Sequence, residues 1–460
     1  MRPLRRPRLL TQGLLIGVTL AAIGVSAPDA QATRRFPNIV VVAVDTLRYD
    51  HLSIHGHPRP TSPYIDALLR GGARFTRAHV VEPLTAPSMA SIFTGLYPHE
   101  HGASRNGLHI RPGLPSLPKI LARRGYKTSA VVGNWTLRAE LLGLDEHFGS
   151  YEGVWSRKRY FGFANSEATA HDLNETANRW VDDHLAENGR YPFFLWVHYV
   201  EPHNPYRFHD EYAERLRIGA DPKPRDRYDT EIAFVDEAIG RLLQDLRRKV
   251  PLQDLLVIFV SDHGESLGEH NYWGHGRHLY QPTLHIPLGF YWHGRIVANT
   301  VIEAPATSLD IASTVLGLVG LPVPDSFRGF DFSRFLLHET AKDMGSPPME
   351  RTTFHEAHKG ASHGNEDRAR RNGLLEVGLV EAGRHKEILR VKKDRLRVYD
   401  LATDAGEDDN LASKGRLEPS DELLAFWRRV QEGLDASDEL PAQVLTEEDV
   451  EQLRALGYID

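Results

Sequence analysis

Residues 39–45 read IVVVAVD and residues 255–263 read LLVIFVSDH; in each, a short apolar run stops abruptly on residues that carry charge or exchange protons. An unbroken apolar run of this length, as opposed to an alternating one, marks a strand buried on both faces of a parallel sheet. Phe193 to Val197, ahead of His198, has the same texture. Between these runs lie helical stretches, Tyr64 to Gly71, Leu117 to Arg124 and Ala168 to Glu187. The last of them places apolar residues at helical spacing. Strands alternating with helices predict an α/β fold, a large mostly parallel sheet between helices. In such sheets ligands gather outside the carboxyl ends of the strands. Asp45, Asp262 and His263 stand at such ends. A lone Asp or His there is explained as well by a helix cap or a turn, so the reading rests on several segments converging.

Outward from these strands, Ala304 to Leu321 is expected to be a helix packed on the sheet, interrupted by the Pro- and Gly-containing stretch Leu321 to Gly329. Beyond the polar piece from Met344 to Glu350 the texture changes. Leu374 to Val380, Glu387 to Val391 and Leu396 to Leu401 read as short strands of a small antiparallel sheet, and Glu422 to Leu434 and Glu447 to Leu456 as terminal amphipathic helices. The expected division is a signal peptide over 1–32, a catalytic domain over 36–343 and a C-terminal α+β subdomain over 350–460.

The chain has 460 residues, 41% hydrophobic and 25% charged, enough to bury one large core with a smaller companion. Arg2, Arg5, Arg6 and Arg8 precede an apolar stretch that ends in Ala30-Gln31-Ala32, the pattern of a cleaved secretory signal and hence of a periplasmic or secreted protein. An uncleaved anchor is the alternative, because the stretch approaches the roughly 17 to 25 residues that cross a bilayer; Thr11 and Gln12 interrupt the run and favour cleavage. No other stretch is apolar enough to span a membrane. Removing residues 1–32, with four Arg and one Asp, takes the formal net charge from −7 to −10. Such an acidic chain argues against nucleic acid as a partner. There is no cysteine, so no disulfide framework accompanies the expected export.

The chemistry centres on residues 83–95, PLTAPSMASIFTG. Pro87 suits the first turn of a helix running through Ser91 and Phe93, which places Thr85 at its N-terminus. Free backbone N–H groups there favour an anionic oxygen or a bound anionic ester. A Thr hydroxyl is a poor nucleophile unless a metal stabilises its alkoxide. Two carboxylates and an imidazole, Asp45, Asp262 and His263, suit a divalent cation, with Thr85 itself as the fourth donor.

These motifs resemble those of the sulfatase family, within the alkaline phosphatase superfamily, from Pro37 to about Leu336 and again around Leu396 to Leu411. PNIVVVAVDTLRYDHL is similar to the family's first metal strand, SDHGESLGEHNYWGHG to its second, and LRVYDLATDAGEDDNLA to its C-terminal segment. PLTAPSMASIFTG resembles the nucleophile signature except at Thr85, where the family has Cys or Ser, and at Met89, where it has Arg. The resemblance implies Asp45, Asp262, His263 and Thr85 as ligands of one divalent metal (Ca, with Mn or Zn as alternatives) and Thr85 as nucleophile. It implies that His203 contacts the transferred group or assists the leaving oxygen, that His275 binds substrate or protonates the leaving oxygen, and that Asn106 contacts substrate. Asn134 falls where sulfatases place a sulfate-holding Lys, and is taken as substrate-binding.

The departures from the family pattern bear on the reaction. Family sulfatases convert Cys or Ser to formylglycine; Thr85 cannot give that aldehyde, and no formylglycine is expected. A covalent intermediate would be a simple Thr ester, as in Thr-nucleophile phosphoryl-transfer relatives. The resemblance therefore implies hydrolysis of an anionic ester, sulfate or phosphate and glycan- or lipid-linked in form, with phosphoester chemistry favoured. Two alternatives stay open at this point: a phosphoryl transferase of the phosphoethanolamine or lipoteichoic-acid type, and an inactive binding protein that lost function with the Arg to Met change at position 89. The basic and aromatic stretch from Trp155 to Phe163 is a candidate rim for an anionic substrate.

Overall fold

The computed structural model describes residues 36–155, 168–337, 345–360, 373–415, 417–437 and 451. The expected signal peptide lies outside them, as do the 155–163 rim beyond Trp155 and the helix expected over 447–456 apart from Glu451. Eight strands form the main sheet in the order Thr300–Ile302, Ala73–Phe75, Leu288–Trp292, Leu255–Ser261, Asn38–Val44, Phe193–Tyr199, Lys127–Val132 and Ser150–Gly153. Leu288–Trp292 runs against both neighbours, and the other pairings are parallel. This is the mostly parallel sheet that the apolar runs predict.

Strand Asn38–Val44 shows why those runs do not alternate. Ile39, Val41 and Ala43 point into one apolar cluster with Ala86, Ala90 and Phe93 of helix Thr85–Thr94 and with Ile311 and Val315 of helix Asp310–Leu318. Val40, Val42 and Val44 point into the opposite cluster, with helices Pro63–Gly71, Ala170–Asn188 and Pro224–Lys249. Both faces are covered, so both sets must be apolar, and burying each such side chain contributes roughly 1.5–3 kcal/mol. No helix among the described residues is long and apolar enough to cross a membrane.

Two expectations need correction. The helix expected over 304–321 is shorter, Asp310–Leu318, because Ala306–Thr307 pairs with Ala78–His79 as a separate two-stranded sheet. Asp310 then accepts the Thr307 N–H at 2.7 Å and starts the helix. The C-terminal antiparallel sheet has four strands instead of three: Thr352–His358, Leu374–Glu381, His385–Arg390 and Arg395–Asp400. The first, TTFHEAH, is rich in polar residues and has no apolar alternation to announce it, yet His355, Glu356 and His358 are fully buried. Helix Asp421–Ser437 covers this sheet through Leu423, Phe426 and Val430.

Candidate active site and metal centre

Parallel register builds the site. Val44 is paired with Ser261 on one side and Tyr199 on the other, so Asp45 and Asp262 leave adjacent strand ends together. The next residue, Thr46, has φ 54°, an uncommon conformation for a β-branched side chain. Its carbonyl accepts the Tyr228 hydroxyl at 2.6 Å, and its N–H, turned inward, donates to Asp262 Oδ1 at 3.1 Å. The His263 N–H donates to the same oxygen at 2.7 Å. Gly264 allows the turn that follows, since a Cβ there would sit 2.1 Å from the Pro282 carbonyl oxygen.

Thr85 is the first residue of helix Thr85–Thr94. Ser88, one turn on, donates its hydroxyl to the Asp262 carbonyl at 2.6 Å, tying the helix to the second metal strand. Thr85 Oγ1 thereby lies 3.2 Å from His263 Nε2. His263 Nδ1 faces the Gly264 carbonyl at 2.9 Å; a carbonyl only accepts, so Nδ1 carries the ring proton and the lone pair of Nε2 points at Thr85. His263 Nε2 is also 3.8 Å from Asp45 Oδ1 and 3.7 Å from Asp262 Oδ2. Thr85, Asp45, Asp262 and His263 are all fully buried.

Burial pushes His263 down to about 4, leaving it neutral at ordinary pH, the form that binds metals. Burial opposes the Asp262 charge, but His263, His198 and the Thr46 N–H outweigh it and hold the carboxyl below its ordinary value. One ligand atom from each of Asp45, Asp262 and His263 lies within 4.8 Å of the others. Two carboxylates facing one neutral imidazole in a dry setting are a donor set with excess negative charge, which a divalent cation fits. A second group, His51, His57 and Asp229, meets the same distance test. Arg59 already lies 2.7 Å from Asp229 Oδ2, and His51 and His57 bond its two oxygens at 2.7 and 3.1 Å. That charge is matched without an ion.

The other residues proposed from sequence gather nearby. The His275 ring lies 4.4 Å from that of His263 and 5.2 Å from that of His203, centroid to centroid. Glu265 Oε1 bonds His275 Nδ1 at 3.1 Å. Asn106 accepts the Ala86 N–H at 3.2 Å, while its buried Nδ2 has no partner among the described residues. Asn134 gives its amide to Asp45 Oδ2 and accepts the Thr136 N–H and hydroxyl at 2.9 Å, so its polar atoms serve a candidate metal ligand and its own turn. Met89 lies in the apolar core.

Two residues near the site have no role assigned from the sequence, although His198 stands at the end of the run Phe193 to Val197. Glu265 stands two places after His263, and His198 sits on a strand that ends beside Asp45, with Nε2 at 3.4 Å from Asp262 Oδ2. The rule that polar residues at strand ends matter points to His198, whereas Glu265, four residues beyond strand Leu255–Ser261, is signalled only by its place in the Asp262–Glu265 turn.

A sulfatase family model matches residues 37–321. Human arylsulfatase A is 27% identical, the match covering 91% of this chain and 92% of the relative. An ulvan-active sulfatase of Formosa agariphila is 26% identical over 70% of each chain. Among solved structures, the phosphonate monoester hydrolase of Agrobacterium radiobacter superposes with a TM-score of 0.66 at 21% identity, over 90% of this chain and 99% of that one.

Proposed function

The chain belongs to the sulfatase family, and from that premise we propose that it hydrolyses anionic esters with Thr85 itself as nucleophile, phosphate-type esters ahead of sulfates. The observation that carries this is the placement of Thr85 Oγ1 at a helix N-terminus, 3.2 Å from the bare nitrogen of His263, which itself lies 3.8 and 3.7 Å from the buried Asp45 and Asp262 carboxylates. A divalent cation held by Asp45, Asp262, His263 and Thr85 would supply charge compensation and lower the pKa of the Thr85 hydroxyl. The Thr85 hydroxyl would pass its proton to solvent water and its oxygen would attack the phosphorus in line as the bond to the leaving oxygen breaks. The helix adds little through its first N–H groups, since the Ala86 N–H is taken by Asn106, Pro87 has none and the Ser88 N–H is bonded to the Leu84 carbonyl. His275, held by Glu265, is placed to protonate the leaving oxygen, with His203 beside it. Water then releases the ester from Thr85.

The preference for phosphorus rests on the side chain. Sulfate release in the family proceeds through an aldehyde hydrate that Thr cannot form, and the apolar placement of Met89 suits a site without that modification. The similarity to named sulfatases favours a second reading, cleavage of sulfate esters on glycans. Wild type and Thr85→Ala, assayed on a phosphonate monoester, a phosphodiester and an aryl sulfate with Mn²⁺, Ca²⁺ or Zn²⁺, separate the two. Turnover of the aryl sulfate alone would overturn the phosphorus preference, and turnover retained by Thr85→Ala would overturn the nucleophile. We also propose that residues 1–32 direct export and are cleaved, which N-terminal sequencing of the expressed protein tests.

A further inference from the structure

The nucleophile's helix is entered through Val80, Val81 and Glu82, and each of these residues is bonded to the edge strand Thr352–His358 of the C-terminal sheet. His355 Nδ1 donates to the Val80 carbonyl at 2.7 Å. The Glu356 N–H donates to the Val81 carbonyl at 2.9 Å. Glu82 reaches across with its side chain: one oxygen accepts the His358 N–H at 3.1 Å, and the other bonds His358 Nδ1 at 2.9 Å. The chain leaving the nucleophile is held from the same place. Asn106, which accepts the Ala86 N–H, donates its own N–H to the Gly360 carbonyl at 3.2 Å.

Glu82 and His358 are fully buried, a costly placement that the two bonds between them offset, although His358 Nε2 has no hydrogen-bond partner among the described residues. Behind them, Glu356 accepts from His99 Nδ1 at 2.8 Å, and its second oxygen lies 3.6 Å from His358 Nε2. Two carboxylates and two imidazoles thus form one buried block between the C-terminal sheet and the start of the nucleophile's helix. Burial raises Glu82 to about 7. His358 is pulled down by burial but raised overall by Glu82.

We infer that Glu82 and His358 are positioning residues for Thr85, so that the C-terminal sheet, through this two-point clamp, sets the depth and direction of the nucleophile in the other part of the molecule. Neither side chain touches the metal group or a reacting atom in this arrangement. Their effect passes through Pro83 and Leu84, the two residues that separate Glu82 from Thr85. A nucleophile displaced by about 1 Å loses on the order of 100-fold in rate.

The inference rests on the proposed role of Thr85, and the test keeps the two apart. Glu82→Ala removes the clamp, whereas Glu82→Gln can still accept the His358 N–H and donate to Nδ1. The two variants and wild type are compared in full-length protein for kcat and KM on the ester that wild type turns over best, for divalent-cation affinity by calorimetry, and for amide hydrogen exchange over residues 83–90. Glu82→Ala should lower kcat by roughly 10- to 100-fold, leave KM and cation affinity within about threefold, and speed exchange over 83–90 while residues 39–45 and 255–260 stay protected. Glu82→Gln should recover most of the rate. If Glu82→Ala is too unstable to purify, His358→Asn and His358→Leu replace it, the first expected to keep the bond and the rate, the second to lose both. Unchanged kcat with unchanged exchange in a clamp-breaking variant overturns the inference. If wild type cleaves no ester, the functional proposal fails, and the exchange measurement alone decides the positioning role.

Discussion

Asp45, Asp262 and His263 are built from the same residue types as His51, His57 and Asp229, at similar separations, yet the two groups differ in charge. In the first, two buried carboxylates face one imidazole that burial keeps neutral. In the second, one carboxylate is bonded by two imidazoles and the Arg59 guanidinium. Burial works to raise Asp229, but the bonds from His51 and His57 override it and hold the carboxyl well below its ordinary range. Donor type and distance do not make a metal centre by themselves. Net charge separates the two: the first group offers a divalent cation two carboxylates beside a neutral imidazole, whereas the carboxylate of the second is already met by Arg59.

The comparison can be broken most directly with Asp262→Asn. Removing one carboxylate from the first group should lower divalent-cation affinity beyond the roughly 100-fold that outer partners of a site typically cost, and turnover should fall with it; calorimetry reads the first and an ester assay the second. Asp229→Asn should leave one bound cation per chain with unchanged affinity. Its cost should appear in folding instead, about 3 kcal/mol in urea denaturation, since it leaves Arg59 facing a neutral amide in a half-buried pair. A second bound cation in wild type, lost in Asp229→Asn, would show that both groups are metal sites.

Smaller effects sharpen the distinction. At a cation concentration 100-fold above its dissociation constant, the protein should gain about 2.7 kcal/mol of stability, seen as a higher melting temperature that chelator reverses, and Asp229→Asn should show the same gain. Because the Asp229 pKa is depressed in the folded state, its stabilisation is present above the ordinary carboxyl value, near 4, and is lost as pH falls below it. Wild type should therefore lose more stability than Asp229→Asn between pH 5 and 3. His198→Gln, which touches Asp262 from outside, should lower cation affinity by only about 10-fold.

Much of the site is local in origin and so was legible. A run such as IVVVAV has one stable environment, the middle of a covered sheet, and the residue after it must emerge at the strand's carboxyl end. That places Asp45 and Asp262 without knowledge of any contact. Pro87 and the apolar spacing after it place Thr85 at a helix start. The strand Thr352–His358 was not legible, because its polar residues are buried against partners from distant segments, and no periodicity records that. Asn134 shows the same limit: its position in a motif suggested substrate, while the fold spends its amide on Asp45.

The sequence by itself determined the covered parallel sheet, the helix that begins at Thr85, and the Asp and His residues at the strand ends, since each follows from short-range periodicity and backbone geometry. The tertiary structure decided which charges are matched and which distant residues bond the segment that leads into Thr85. Arg59 meets Asp229 from 170 positions away and Glu82 meets His358 from 276. Pairings at that separation are set by how the elements pack, which no short-range periodicity records, and burial makes each of them costly to break.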